Sequence, residues 1–336
     1  PVQIAKSEFK ASKTFSYKDS QVLSPPLGLP ERMVRYFLFI NIFNVILVGF
    51  KLILLINIRK KLKISTFTTM TNPEDRNDPW SEALNCYNSY SDEVVIVGDD
   101  WPEEFKFDLI GKYFQKGFDQ CTGDWVFRMD IDYFFHENDL NKIKNFLNRY
   151  SEYPAISFPQ YQFFTKDRYQ IKTRLCVALN KKKFPNIKFN GGGDLCLPTI
   201  DNKLVDPRKM PNINVPIYQY DSMFRTKKII ADDRARFARA WFSQFNDYGD
   251  RGGSKPEDAF QAWFNTIESK YKFHIHKIKL EDHPIYIKNK LENLNNTQFG
   301  FSAFDLESKT NRPISNYLKG YREKYVNTIL NNFFMK

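Results

Sequence analysis

The stretch GDWVFRMDIDYFFHE, residues 123–137, decides how the chain is read. An apolar run, Trp125-Val126-Phe127, leads through Met129 to two aspartates, Asp130 and Asp132. On an extended backbone, residues two apart project to the same side, so the spacing predicts two carboxylates together at the end of a buried strand. Such a pair repels itself unless positive charge lies between. A hard divalent cation completed by phosphate oxygens and water suits it, because Mg2+ commonly takes only one or two protein carboxylates.

On either side of this stretch, strand and helix patterns alternate. KISTFTTM (63–70) is β-branched and aromatic and reads as a first strand. A polar turn from Asn72 to Asp78 follows, then a helix opened by Pro79-Trp80 and running to Tyr90, with Asp78 as its expected N-cap. EVVIVG (93–98) reads as a fully apolar strand, 107–120 as a helix, WVFRMD (125–130) as a third strand and 138–150 as a helix. This alternation predicts an α/β fold with a mostly parallel sheet flanked by helices. Ligands of such sheets bind at the carboxyl ends of the strands, where Thr68 to Asn72, Gly98 to Asp100 and Asp130 to Asp132 all fall.

Beyond residue 150 the pattern is less regular. Extended segments are expected at 155–164 and 171–179, and helices at 229–245, 256–271, 282–294 and 314–332. The glycines at 191–193, followed by Asp194, form a turn where backbone can approach a ligand, or a simple tight loop. Arg234, Arg236 and Arg239 either meet phosphate or an anionic acceptor, or form a solvated helix face.

The N-terminal part has a different character. Residues 1–35 are polar, broken by prolines, and read as a poorly ordered arm. Residues 36–58 are 23 mostly apolar residues, long enough to span a bilayer as a transmembrane anchor, with Lys51 as the main objection. An apolar helix docked on the body, or upstream sequence ahead of a start at Met33 or later, stand as alternatives. Arg59, Lys60, Lys61 and Lys63 follow, and the positive-inside rule then places the body on the cytoplasmic face of the membrane.

Of the net charge of +11, residues 1–63 carry +8 and the remainder only +3, so the body lacks the excess basicity of a nucleic-acid binder. The four cysteines, Cys86, Cys121, Cys176 and Cys196, form no C-x-x-C pair and are expected to be reduced thiols rather than a disulfide or zinc framework.

Taken together, ISTFTTMTN, SDEVVIVGDD and TGDWVFRMDIDYFFHE resemble the N-terminal half of a GT-A fold glycosyltransferase, family 2, of the bacterial polysaccharide type. The resemblance covers residues 62–150 and reaches weakly to 290. It implies a GT-A domain over 61–300, with a nucleotide-binding half (61–150), an acceptor half (151–300) and a helical extension beyond 301. It also implies an enzyme that moves a sugar from a nucleotide-sugar donor to a carbohydrate or glycolipid acceptor.

Asp130 and Asp132 would then hold Mg2+ or Mn2+ on the diphosphate, with His283 as a third ligand. Thr68 and the polar residues up to Asn72 would line the nucleotide pocket. Asp99 would contact the base. Gly117 falls where the family has Asn-x-Gly, here without the asparagine. Asp258, with Glu257 beside it, would be the base that takes the acceptor proton, and Asp194 the reserve; helix-dipole preference alone also accounts for acids in a first helical turn. The competing readings are a non-catalytic nucleotide- or sugar-binding protein on the same fold and a nucleotidyltransferase. The latter would want a glycine-rich basic loop after the first strand, which TTMTNPED is not.

Overall fold

The computed structural model describes residues 30, 42, 62–191, 196–309 and, within the C-terminal stretch, 314–318, 321, 322, 325, 326 and 329. The chain divides into two units, Pro1–Lys61 and Leu62–Lys336. The expected transmembrane segment at 36–58 lies outside the described residues, apart from residue 42. Among the described residues no helix is long and apolar enough to cross a membrane.

In chain order the elements are β1 (Ile64–Thr69), α1 (Trp80–Tyr90), β2 (Glu93–Val97), α2 (Phe107–Gln120), β3 (Trp125–Arg128), β4 (Tyr133–Phe134), α3 (Leu140–Arg149), β5 (Ala155–Thr165), β6 (Arg168–Leu179), β7 (Lys188–Phe189), β8 (Pro198–Ile200), β9 (Lys203–Leu204), β10 (Ile217–Gln219), α4 (Lys227–Phe245), α5 (Pro256–Tyr271), β11 (His276–Lys277) and α6 (Ile285–Glu292). The main sheet runs β2-β1-β3-β6-β5-β10-β4, with β11 paired to β6. β1, β2, β3, β5, β10 and β11 share one direction, and β6 and β4 run against them. The α/β class and the mostly parallel sheet are as the sequence predicts.

Both faces of the central strands are covered, which is why they read as continuous apolar runs. Trp125, Phe127 and Met129 face one core with Ile64, Tyr87 and Tyr90, while Val126 and Phe67 face the other with Ile110, Phe114 and Phe118 of α2. Those last three recur every four residues, the stripe of an amphipathic helix. Gly117 lies on the same helix, and a Cβ there would sit 2.4 Å from Cδ2 of Phe67, so glycine is needed for α2 to approach β1.

Three local expectations change. β2, read as a fully apolar strand, lies at the edge of the sheet, and its Ile96 is half exposed. Asp78 does not cap α1, whose N-cap is Pro79; its carboxylate is taken by arginines instead. β3 ends at Arg128, and a turn closes by a Tyr133 N–H bond to the Asp130 carbonyl (2.8 Å), so Asp130 and Asp132 belong to a turn rather than to one side of a strand.

Candidate active site

A cavity of about 390 Å³ opens where β1 and β3 end, within the size range of small-molecule sites. Three segments shape it: the end of β1 at Thr69 with Met70 and Thr71 after it, Asp130–Asp132 after β3, and Tyr220–Arg225 after β10. Gln160, Lys172 and Gln219 rise from the sheet, and Trp101 and Phe105 form an aromatic lip. Trp101 stacks on Tyr113 with centroids 4.5 Å apart, and on Phe105 at 5.5 Å.

The acidic side of the cavity is unevenly compensated. Arg128, buried and lying over the Phe114 ring, donates to Asp130 Oδ2 at 2.9 Å. Asp132 faces burial first, then the charges of Asp130 and Asp221, and is pushed up to about 8, against a weaker opposing pull from Arg225. Asp221 accepts hydrogen bonds from Gln162 Nε2 and Ser222 Oγ, both at 3.1 Å. The Tyr220 N–H donates to the Asp132 carbonyl at 3.0 Å, which ties the turn carrying Asp221 to the turn carrying Asp132.

Opposite stands a basic wall built from distant parts of the chain. Arg225 donates to Asp78 and pairs with Asp233; Arg76 pairs with the same two carboxylates; Arg236 reaches Asp233 at 3.1 Å. Three guanidinium groups against two carboxylates leave a positive excess beside the cavity. Burial and the neighbouring Arg225 hold the Arg76 pKa below its ordinary value, while the Asp78 and Asp233 charges raise that of Arg225. Lys172 is lowered, chiefly by burial, and lies 3.4 Å from Gln219 Oε1.

Of the residues singled out from sequence, Asp130 and Asp132 are brought together in the cavity. Thr68 is not on its wall: its side chain is buried on the other side of β1, and Thr69, Met70 and Thr71 take that place. Asn72 is exposed, in a left-handed turn conformation (φ 44°), and Asp99 is exposed outside the lining, two residues before Trp101. Gly117 packs on Phe67, a structural position away from the cavity.

His283 is fully buried, with Nδ1 2.8 Å from the Tyr220 hydroxyl and Nε2 2.8 Å from the Lys166 carbonyl. Burial lowers it to about 4, so the ring is neutral: Nε2 carries the proton and donates to Lys166, and Nδ1 accepts from Tyr220. With both nitrogens engaged, it is a buried buttress of the Tyr220 turn and not a third metal ligand. Glu257 and Asp258 are exposed at the start of α5 and line neither the cavity nor the smaller one beside it. Asp194 lies outside the described residues. Among the described residues, no group of three or more His, Cys, Asp and Glu converges to hold a metal ion alone.

Sequence reasoning missed Asp221, Arg225, Arg76 and Lys172. Asp221 follows a three-residue strand, too short to show a period, and Arg76 and Arg225 are 149 positions apart in the chain. The available signal was Tyr218-Gln219-Tyr220-Asp221, a polar step at the end of an apolar segment.

No protein-family profile matches the chain, and no curated protein matches it. Among solved structures it is similar to S. aureus TarS 1–349, at 13% identity over 64% of this chain and 76% of that one, with a TM-score of 0.29. The same protein in complex with UDP-GlcNAc matches at 14% identity over 67% and 79%, TM-score 0.30, and a further TarS structure at 12% over 76% and 54%, TM-score 0.29. Likeness at this level carries no information about chemistry.

Proposed function

We propose that the chain is a glycosyltransferase that binds a nucleotide-sugar donor in this cavity and transfers the sugar to an acceptor hydroxyl. One observation carries the reading: at the carboxyl ends of parallel strands, Asp130 and an Asp132 pushed up to about 8 face a wall with surplus guanidinium charge. A diphosphate with a divalent cation complements both sides at once.

The residues fit Mg2+ or Mn2+. Asp130 and Asp132 offer hard oxygen donors; burial first, and then the charges of Asp130 and Asp221, raise Asp132, and a bound cation offsets both by favouring the ionised carboxylate. Two carboxylates, with no third His, Cys, Asp or Glu converging on them among the described residues, suit an ion whose shell is completed by phosphate and water. When bound, the ion supplies charge stabilisation of the diphosphate.

The protein's own groups then have distinct tasks. Arg76, Arg225 and Arg236 orient the phosphates, and Trp101 with Phe105 offers a stacking surface for the base. As the bond from the anomeric carbon to the diphosphate oxygen breaks, the acceptor oxygen bonds to that carbon and its proton passes to a carboxylate. Asp221 lines the cavity and is our candidate for that carboxylate, in place of the exposed Asp258 and Glu257. Inversion at the anomeric carbon is the expected stereochemical course.

Calorimetric titration with UDP, GDP and CDP, with and without Mn2+, tests the donor reading. Mn2+-dependent binding of one of them, lost in Asp130→Asn/Asp132→Asn, is expected. Binding that ignores both the metal and the double substitution would refute it.

A further inference from the structure

Beside the donor cavity lies a second one of about 230 Å³, and among the described residues Asp221 alone lines both. Its walls come from α4 and α5, the turn at Asp250-Arg251, and Gln162 of β5. The three arginines of α4 noted in the sequence separate here. Arg236 joins the donor wall, and Arg239 pairs with Glu104 at 2.6 Å. Arg234 faces the second cavity.

The second cavity holds three cationic groups, Arg234, Arg251 and Lys270, against Asp221 and Asp250. Asp250 is largely exposed and pairs with Arg251 at 2.8 Å. Arg234 lies over the Trp263 ring, 5.5 Å from its centroid, and Arg251 lies 3.4 Å from that of Trp241. Neither Arg234 nor Lys270 has a carboxylate within ion-pair distance among the described residues. Lys270 is also close enough to Lys172 to lower the latter's pKa, so like charges gather around Asp221. A planar cation held on an indole, in one cavity with an exposed ammonium that pairs with no carboxylate among the described residues, is an arrangement that recognises an oxyanion, and Trp263 adds an apolar face for a sugar ring.

We propose that this cavity is the acceptor subsite, and that it takes a saccharide unit bearing an anionic group, a carboxylate or a phosphate, held by Arg234 and Lys270 with its hydroxyl directed to Asp221. The proposal rests on the glycosyltransferase reading for the identity of the reaction, but its binding chemistry is separable from it. Carboxylate and phosphate present the same oxyanion to the two cations, so different probes must tell them apart.

The test is calorimetric titration of the full chain with D-glucose, D-glucuronate and D-glucose 6-phosphate, each with and without UDP and Mn2+. At least tenfold tighter binding of one or both anionic probes than of glucose is expected, persisting when UDP and Mn2+ occupy the donor cavity. The stronger of the two names the anion. Arg234→Gln/Lys270→Gln is expected to bring that preference to within twofold of glucose, with UDP binding unchanged. Equal binding of all three probes by the unsubstituted protein, or a preference that survives the double substitution, would overturn the proposal. The first of these results needs no variant, so a substitution that fails to fold leaves the test intact. Failure of the donor reading is scored separately, by loss of UDP, GDP and CDP binding.

Discussion

Arg225 donates from both Nε and Nη2 to one oxygen of Asp78, at 2.8 and 2.6 Å, across 147 residues of chain. Both side chains are largely buried, so the pair joins the loop after β1 to the turn after β10 with little help from solvent. Removing Arg225 leaves Asp78 with Arg76 as its remaining partner, so the loss is smaller than for a stranded buried charge. Arg225→Ala is expected to lower stability by about 2–3 kcal/mol, measured by urea denaturation. Asp78→Asn, which retains an acceptor, is expected to cost less. Equal stability of Arg225→Ala and the parent would show that the pair carries no net weight.

The Asp132 carboxyl gives the metal-free protein a signed pH dependence. Its folded pKa is raised to about 8, from an unfolded value near 3.9. Between these values the folded state keeps a proton that the unfolded state has lost. The contribution is therefore fully present below about pH 4 and is lost as pH rises towards 8. Thermal melts with a chelator present are expected to show this fall, and Asp132→Asn is expected to flatten it. Mn2+ should stabilise the parent most at the alkaline end.

Gly117 gives a contrast between packing and binding. A methyl group there meets Phe67, itself fully buried. Gly117→Ala is expected to cost about 1–3 kcal/mol through overpacking. Nucleoside diphosphate affinity, measured well below the melting temperature, should stay within twofold. A large loss of affinity without a stability change would return Gly117 to the nucleotide site.

The proton-accepting carboxylate can be assigned by comparing variants. Asp221→Asn is expected to reduce transfer by at least a hundredfold, while leaving donor binding within a few fold, in line with the usual scale of general-base contributions. Glu257→Gln and Asp258→Asn should transfer within twofold of the parent. The reverse pattern would give the role to the first turn of α5.

The fold over 62–150 was legible because its signals are local and repetitive. The strand at 64–69, the helix at 107–120 and the strand starting at Trp125 each announce themselves by period and by flanking turns. The spacing of Asp130 and Asp132 brings them together as expected, but through the turn at Asp130 and not through the pleat of a strand. The basic wall was not legible. Arg76, Arg225 and Asp233 meet only because α4 is laid beside the loop after β1, and no spacing in sequence encodes that contact. His283 shows the opposite case: the resemblance implies a third ligand there, whereas its ring is engaged by Tyr220 and Lys166. Asp258 rests on the resemblance alone, because an acid in the first turn of a helix satisfies the helix whether or not it meets a substrate.

The hydrogen bond from the Tyr220 amide to the Asp132 carbonyl makes the two acidic turns one mechanical piece. The group that would anchor the leaving diphosphate and the group that would receive the proton are thus spaced by the backbone itself. Their separation exists before any ligand arrives, and a closing segment is not required to create it. A backbone change that slackens this one link, such as an insertion between Ile217 and Tyr220, should slow turnover while leaving each partner's binding largely intact.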